Sequence, residues 1–193
     1  MRSCRRGLLA AALTTALTAC SPMASGPPDA GRSVVLARED VSPAFIGFIG
    51  PKAQHAPPFL DTAGTNFYCL RSFLDRRTGE TTHQLYVSDS YFGIERNWNA
   101  ARDSTGTELP FVAVSRDEIA CDTGCSYVEE FAATLPESAL RASDRGLAVT
   151  FVARSGDEKI IFVSGERIAA QLAAVDARRN PAQPVTALGT PPW

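Results

Sequence analysis

Between residues 63 and 179 the apolar positions recur mostly with a period of two, the spacing of half-buried strands. Phe67-Tyr68-Cys69-Leu70-Arg71-Ser72-Phe73 has strand composition and ends at the turn Asp75-Arg76-Arg77-Thr78-Gly79. Residues 84–92 follow, with Leu85, Val87 and Tyr91 on one face and Tyr86 and Phe92 on the other. Gly93 reads as a bulge, after which pairing resumes over 98–101. Asp103-Ser104-Thr105-Gly106 is a turn that returns 109–115 as a hairpin partner. Segments 126–135, 147–154 and 159–163 complete six or seven strands, the last two joined at Ser155-Gly156-Asp157.

After Val163 the period changes. Ile168, Leu172 and Val175 fall at i, i+4 and i+7, Ser164 can cap the segment and Glu166 lies in its first turn. Arg178 and Arg179 suit the negative end of a helix, and Pro181 stops it. Strands linked by short turns are antiparallel neighbours. The pattern therefore predicts a mainly β, α+β domain: a twisted antiparallel sheet or small β-sandwich with one C-terminal helix packed on it.

The prolines set the expected boundaries. Seven of thirteen precede residue 63 and four follow residue 179, leaving only Pro110 and Pro136 between them. Proline removes ladder donors and fixes φ, so it gathers outside sheets and helix interiors. Residues 20–62 are accordingly expected to be a tether and arm, 63–179 the β-rich domain, and 180–193 a disordered tail. Within the arm, Val34, Val35, Leu36, Phe45, Ile46, Phe48 and Ile49 are too apolar for a plain linker and should pack on the domain as a short strand or extended arm.

The chain opens with a basic cluster (Arg2, Arg5, Arg6), and thirteen uncharged residues, 7–19, lead to Cys20. As a helix this stretch reaches about 20 Å, short of the ~30 Å hydrocarbon core, which fits a cleavable leader better than a membrane span. Its end, Leu17-Thr18-Ala19-Cys20, resembles the lipobox of bacterial lipoproteins. The resemblance implies a signal peptide over 1–19, cleavage before Cys20, a diacylglyceryl group on its thiol and an acylated new amino terminus. Two or three acyl chains hold where one holds only marginally, at about 0.8 kcal/mol per buried CH₂. Ser21, in place of an Asp after the lipidated residue, favours the outer over the inner membrane. The implied location is the periplasm-facing cell envelope.

Composition excludes more than it identifies. At 193 residues, 45% hydrophobic and 21% charged, the chain is neither collagen-like nor a polytopic membrane protein. Loss of the leader's three arginines takes the net charge from −2 to −5, so no nucleic-acid partner is expected and the body gains no attraction from an anionic bilayer. Only His55 and His83 occur, neither beside a nucleophile in a recognisable spacing, and there is no phosphate loop, dinucleotide fingerprint or calcium loop. No cofactor is expected.

Processing leaves Cys69, Cys121 and Cys125, an odd number in a compartment that favours disulfides. Cys121-Asp122-Thr123-Gly124-Cys125 can close a bridge around its glycine turn, with Cys69 buried as a small apolar residue; Cys69 paired to either loop thiol is the alternative. A zinc site needs a fourth ligand beside three thiols, and no histidine is near in sequence, so no metal is expected. Asp122-Thr123-Gly124 followed by Cys125-Ser126 resembles the Asp-Thr-Gly-Ala-Ser signature of aspartic peptidases, which implies Asp122 as a catalytic residue working in a homodimer. Cys121 in place of an aliphatic residue departs from that pattern, and an Asx-type turn inside a cystine loop accounts for the same residues.

Glu129 and Glu130 are adjacent on a strand and point to opposite faces. If the Tyr127, Phe131 and Leu135 face is core, Glu129 is a partly buried carboxylate that needs a partner such as Arg71 or Arg116. Tyr91, Trp98 and Glu129 together are the candidate binding surface, although strand aromatics also serve packing. Ser88-Asp89-Ser90-Tyr91 resembles the Ser-Gly-x-x-Tyr element of small lysozyme-inhibiting lipoproteins, with Asp89 replacing the glycine. The sequence thus predicts a lipid-anchored, non-enzymatic binding or structural module with an envelope protein partner. A periplasmic inhibitor-type lipoprotein and an aspartic-type hydrolase using Asp122 are the alternatives.

Overall fold

A computed structural model of the chain describes residues 35–121 and 124–180. The leader, Cys20, the first part of the arm, Asp122 and the tail from 181 onward lie outside the described residues.

The strands, in chain order, are β1 (Leu36–Ser42), β2 (Phe45–Ile49), β3 (Ala53–Gln54), β4 (Phe67–Asp75), β5 (Thr81–Phe92) and β6 (Trp98–Asp103). They continue as β7 (Glu108–Leu109), β8 (Phe111–Ala120), β9 (Ser126–Leu135), β10 (Leu147–Ala153) and β11 (Glu158–Val163). Helix α1 (Glu137–Arg141) precedes β10, and α2 (Gly165–Arg179) follows β11. All pairings are antiparallel. The large sheet runs β1-β2-β4-β5-β9-β8, with β3 also on β4, and the small sheet runs β11-β10-β6-β7.

The alternation in β5 and β9 explains how the sheets stack. Leu85 and Val87 of β5 and Phe131, Ala133 and Leu135 of β9 turn to one side, where they meet Trp98, Ala101, Val149, Phe151, Ala153, Ile161 and Val163 of the small sheet. Phe131 sits at the centre, its ring centroid 4.9 Å from Phe151, edge to face, and 5.2 Å from the tilted ring of Trp98. Helix α2 covers the rest of that face. Ile168 and Leu172 join the same core, and Val175 packs with Ile46, Phe48 and Leu74. Each such side chain contributes about 1.5–3 kcal/mol when fully buried. The expected sheet-plus-helix plan is present, with Ser164 capping α2 through the Arg167 N–H.

Four features differ from the sequence reading. The segment 36–54, expected to pack on the domain as a short strand or extended arm, does pack there but as three strands of the large sheet, because Ile46 and Phe48 carry the apolar face that α2 needs. Gly93 marks a change of sheet instead of a bulge: the chain leaves the large sheet at Phe92 and enters the small one at Trp98. Positive φ at Gly93 and Asn97 permits that crossing. The hairpin expected at 109–115 is confined to Ala101–Leu109 and Arg102–Glu108; Pro110 offers no N–H, and β8 continues as a partner of β9. Finally, α1 is a second helix, too short for periodicity to reveal, although Pro136 ahead of it and Glu137 in its first turn are start signals.

Candidate functional site

Period two places Asp89 on the same inward face as Leu85 and Val87, and Glu129 on the inward face with Phe131. The two residues are directly paired in the β5–β9 register, and their exposures are only 2% and 4%. Like charges placed opposite one another destabilise a sheet unless each is compensated. Separate sets of donors do so here. Asp89 accepts from Arg96 Nη1 at 2.8 Å and from the Trp98 indole N–H at 3.0 Å, and Lys159 Nζ of β11 lies 3.1 Å from its other oxygen. Glu129 accepts from the backbone N–H of Asn97 at 2.9 Å and of Trp98 at 3.0 Å, and from the Tyr91 hydroxyl.

Trp98 therefore bridges both acids, one through its ring nitrogen and the other through its backbone. The Tyr91 hydroxyl in turn accepts from the Arg96 N–H, and the Arg96 guanidinium lies 4.1 Å from the Tyr91 ring centroid. Burial pushes the Tyr91 hydroxyl well above its ordinary range, so it stays a donor to Glu129. His55 extends the network. Its Nε2 donates to the Ser88 carbonyl at 2.9 Å, leaving Nδ1 to accept from Lys159 at 3.2 Å, and burial holds its pKa below the usual histidine value.

A surface groove of about 280 Å³ opens beside this cluster. Trp98, Glu129 and Phe131 contribute to its lining, with Val114, Ser115 and Arg116 of the edge strand β8. Ser115 donates to Glu130 at 3.0 Å; Arg116 pairs with Glu95 at 2.9 Å and also donates to Asn97. A register irregularity between Ala113 and Ser115 lies at the groove.

The structure thus brings Tyr91, Trp98 and Glu129 together, as parts of one buried cluster: Tyr91 and Trp98 are each 5% exposed. The arginine partner expected for Glu129 is absent from that cluster's Glu129 side. Arg71 bonds Gln84 and lies over the Tyr86 ring, and Arg116 turns to Glu95, because backbone N–H groups of the 93–98 crossing already occupy the carboxylate. Ser88, Asp89, Ser90 and Tyr91 are all buried within β5. Asp89, Arg96, Lys159 and His55 were not singled out as a site by the sequence reading; the available signal was an acidic residue at an inward position of β5.

Cys121 and Cys125 form a disulfide, and Cys69 is a buried free thiol. Cys125 is tied to β5 by its carbonyl, which accepts from the Gly93 N–H. At the other end of the sandwich, Ser72 Oγ lies 2.8 Å from His83 Nδ1, and His83 Nε2 lies 3.4 Å from Glu137. The order serine, histidine, carboxylate is that of a hydrolase triad, yet Ser72 is 0% and His83 1% exposed. Gln171 of α2 donates to Ser72 at 2.9 Å, so the chain of bonds fastens the helix to the sheet. No protein-family model, no curated protein and no solved structure matches this chain.

Proposed function

We propose that the protein is a lipid-anchored envelope lipoprotein whose β-sandwich binds another envelope component at the groove beside β8. The leader residues Arg2, Arg5 and Arg6, the short apolar run and Leu17-Thr18-Ala19-Cys20 support the anchor. Ser21 supports the outer membrane as its address. The observation that carries the binding role is the division of labour around Trp98. Asp89 and Glu129 are held by structural donors on every side, while the accessible wall next to them presents Val114, Ser115 and Arg116 on an edge strand. Rigid, internally fixed residues behind an open polar and apolar wall make a recognition surface.

Two measurements test this reading. Mass spectrometry of the protein isolated from cells should find acyl chains on residue 20 and no residues before it; an unmodified Cys20 refutes the anchor. In-cell photo-crosslinking from position 114 or 115 should recover one dominant envelope protein. Recovery of lipid and background alone refutes the binding role.

A further inference from the structure

The two ends of the large sheet differ in kind. At one end the β4–β5 turn exposes Arg76, Arg77 and Glu80. At the other, Phe92 closes β5, Ile94 follows in the crossing to β6, and Leu60 stands on the turn Phe59–Asp61 ahead of β4. These three are large and apolar, yet Leu60 is 66%, Phe92 60% and Ile94 86% exposed. They make one patch, since the Phe59 ring next to Leu60 lies 4.7 Å from that of Phe92, two residues before Ile94. Exposed apolar residues scattered singly are ordinary, whereas clustered ones mark a contact surface. The backbone holds Leu60 outward under strain: Leu60 and Asp61 have φ of 50° and 56°, a region that side chains other than glycine rarely adopt. The turn is fastened from within. The Phe59 N–H donates to Thr65 Oγ1 at 2.7 Å, and Asn66 Nδ2 donates to the Pro57 carbonyl at 2.8 Å.

The direction of β1 points to what covers this patch. β1 and β4 both pair antiparallel with β2, so they run the same way, from the Phe92 end of the sheet towards the Asp75 turn. The chain therefore enters the fold from the side on which Leu60, Phe92 and Ile94 lie. Residues 21–34 separate Cys20 from the first described residue, and fully extended they span no more than about 50 Å. We propose that Leu60, Phe92 and Ile94 rest in the interface of the bilayer that holds the acyl chains, so that the sandwich stands on the membrane with this end down. The proposal rests on the lipid anchor read at Cys20. Once the protein is tethered, lipid contact is an intramolecular event, so a small apolar patch suffices. The contact is apolar and not electrostatic. Asp61 and Glu95 flank it, while Arg96 is engaged by Asp89 and Arg116 by Glu95.

The test uses the mature lipoprotein in phosphatidylcholine vesicles that contain a brominated lipid. An environment-sensitive fluorophore is attached at Ile94→Cys in one protein and at Thr78→Cys, in the β4–β5 turn, in another. Cys69 is buried and Cys121 and Cys125 are bridged, so the new thiol is the one that reacts. The label at 94 should shift to the blue and be quenched by the lipid bromine, and the label at 78 should do neither. Leu60→Asp, at an exposed turn position, should abolish the quenching at 94. Mass spectrometry of the same preparation reads Cys20. Acylated Cys20 without quenching at 94 overturns the proposal and leaves the anchor standing, whereas unacylated Cys20 overturns both. Equal quenching at 78 and 94, or quenching that survives Leu60→Asp, also overturns it. So does a label at 94 that is blue-shifted but unquenched, the signature of a protein partner or a second copy on the patch.

Discussion

Asp89 and Glu129 face each other across β5 and β9 inside the sandwich, and Trp98 donates to both of them. Two buried acids side by side are tolerated because their donors do not overlap: cations and an indole serve one, backbone N–H groups and a phenol the other. Glu129 in particular closes the crossing from the large sheet to the small one, since it satisfies the N–H groups of Asn97, the last residue of the crossing, and Trp98, the first of β6. Glu129→Gln puts an amide N–H₂ where only an acceptor fits. A loss of about 1–3 kcal/mol is expected for each orphaned donor, measured as a lower urea midpoint.

Trp98→Phe keeps a ring against Phe131 but removes the donor that Asp89 uses. Removing one donor to a buried charge costs about 1.5–3 kcal/mol. Asp89→Asn in the same background should cost less than in the wild type, because the charge that needed the indole is already gone. A double-mutant cycle reads this coupling directly, and strict additivity would mean that the two groups do not cooperate.

Much of this was legible as parity. The inward face of β5 could be read from Leu85, Val87 and Tyr91, and the same parity carries Asp89 and His83 into the interior. The helix was legible because its cap, stripe and stop agree. Sheet changes were not: Gly93 and Pro110 signal that pairing is interrupted, but the destination of the chain depends on contacts distant in sequence. The segment 36–54 was legible as far as Ile46 and Phe48 marked it for packing on the domain, but its division into three paired strands was not, because those partners lie on β4 and α2. Likewise, nothing local in the sequence brings Lys159 to Asp89, seventy residues away.

Acid should weaken the fold in two stages. Burial lowers the pKa of His83 and of His55 below the ordinary 6.5. Above that value both states are neutral. Below it the unfolded chain binds protons first, and stability falls with pH. Hydrogen bonds from Arg179 and Arg141 lower Glu137 from 4.5 to about 2, so its contribution is present above pH 4.5 and lost as pH falls toward 2. Denaturation midpoints against pH should show both windows. His83→Gln should shallow the upper one; Glu137→Gln should remove the lower one and steepen the upper, because Glu137 is the partner that raises the His83 pKa against burial; a His83→Gln slope unchanged between pH 6.5 and 5 would exclude His83 as a source.

Cys69 is 4% exposed, and burial raises its thiol pKa above the free value. A thiolate is the reactive species, so both access and ionisation protect it. A thiol reagent at mildly alkaline pH should leave Cys69 unlabelled in the native protein and modify it once denaturant is added, as peptide mapping would show. Rapid native labelling would place Cys69 outside the core.

Gly165 opens α2, and propensity alone says that alanine there should stabilise the helix by up to about 1 kcal/mol. The fold says the opposite. A Cβ built at Gly165 would lie 1.8 Å from the Asp144 carbonyl oxygen, a backbone atom that cannot rotate away. The turn before β10 must therefore shift, and its Gly146 is itself held at φ 105° with the Val163 carbonyl against it. Overpacking of this kind costs about 1–3 kcal/mol. Gly165→Ala should lower the melting temperature although it improves the helix sequence, and a raised melting temperature would mean that the loop and the helix start do not touch as described.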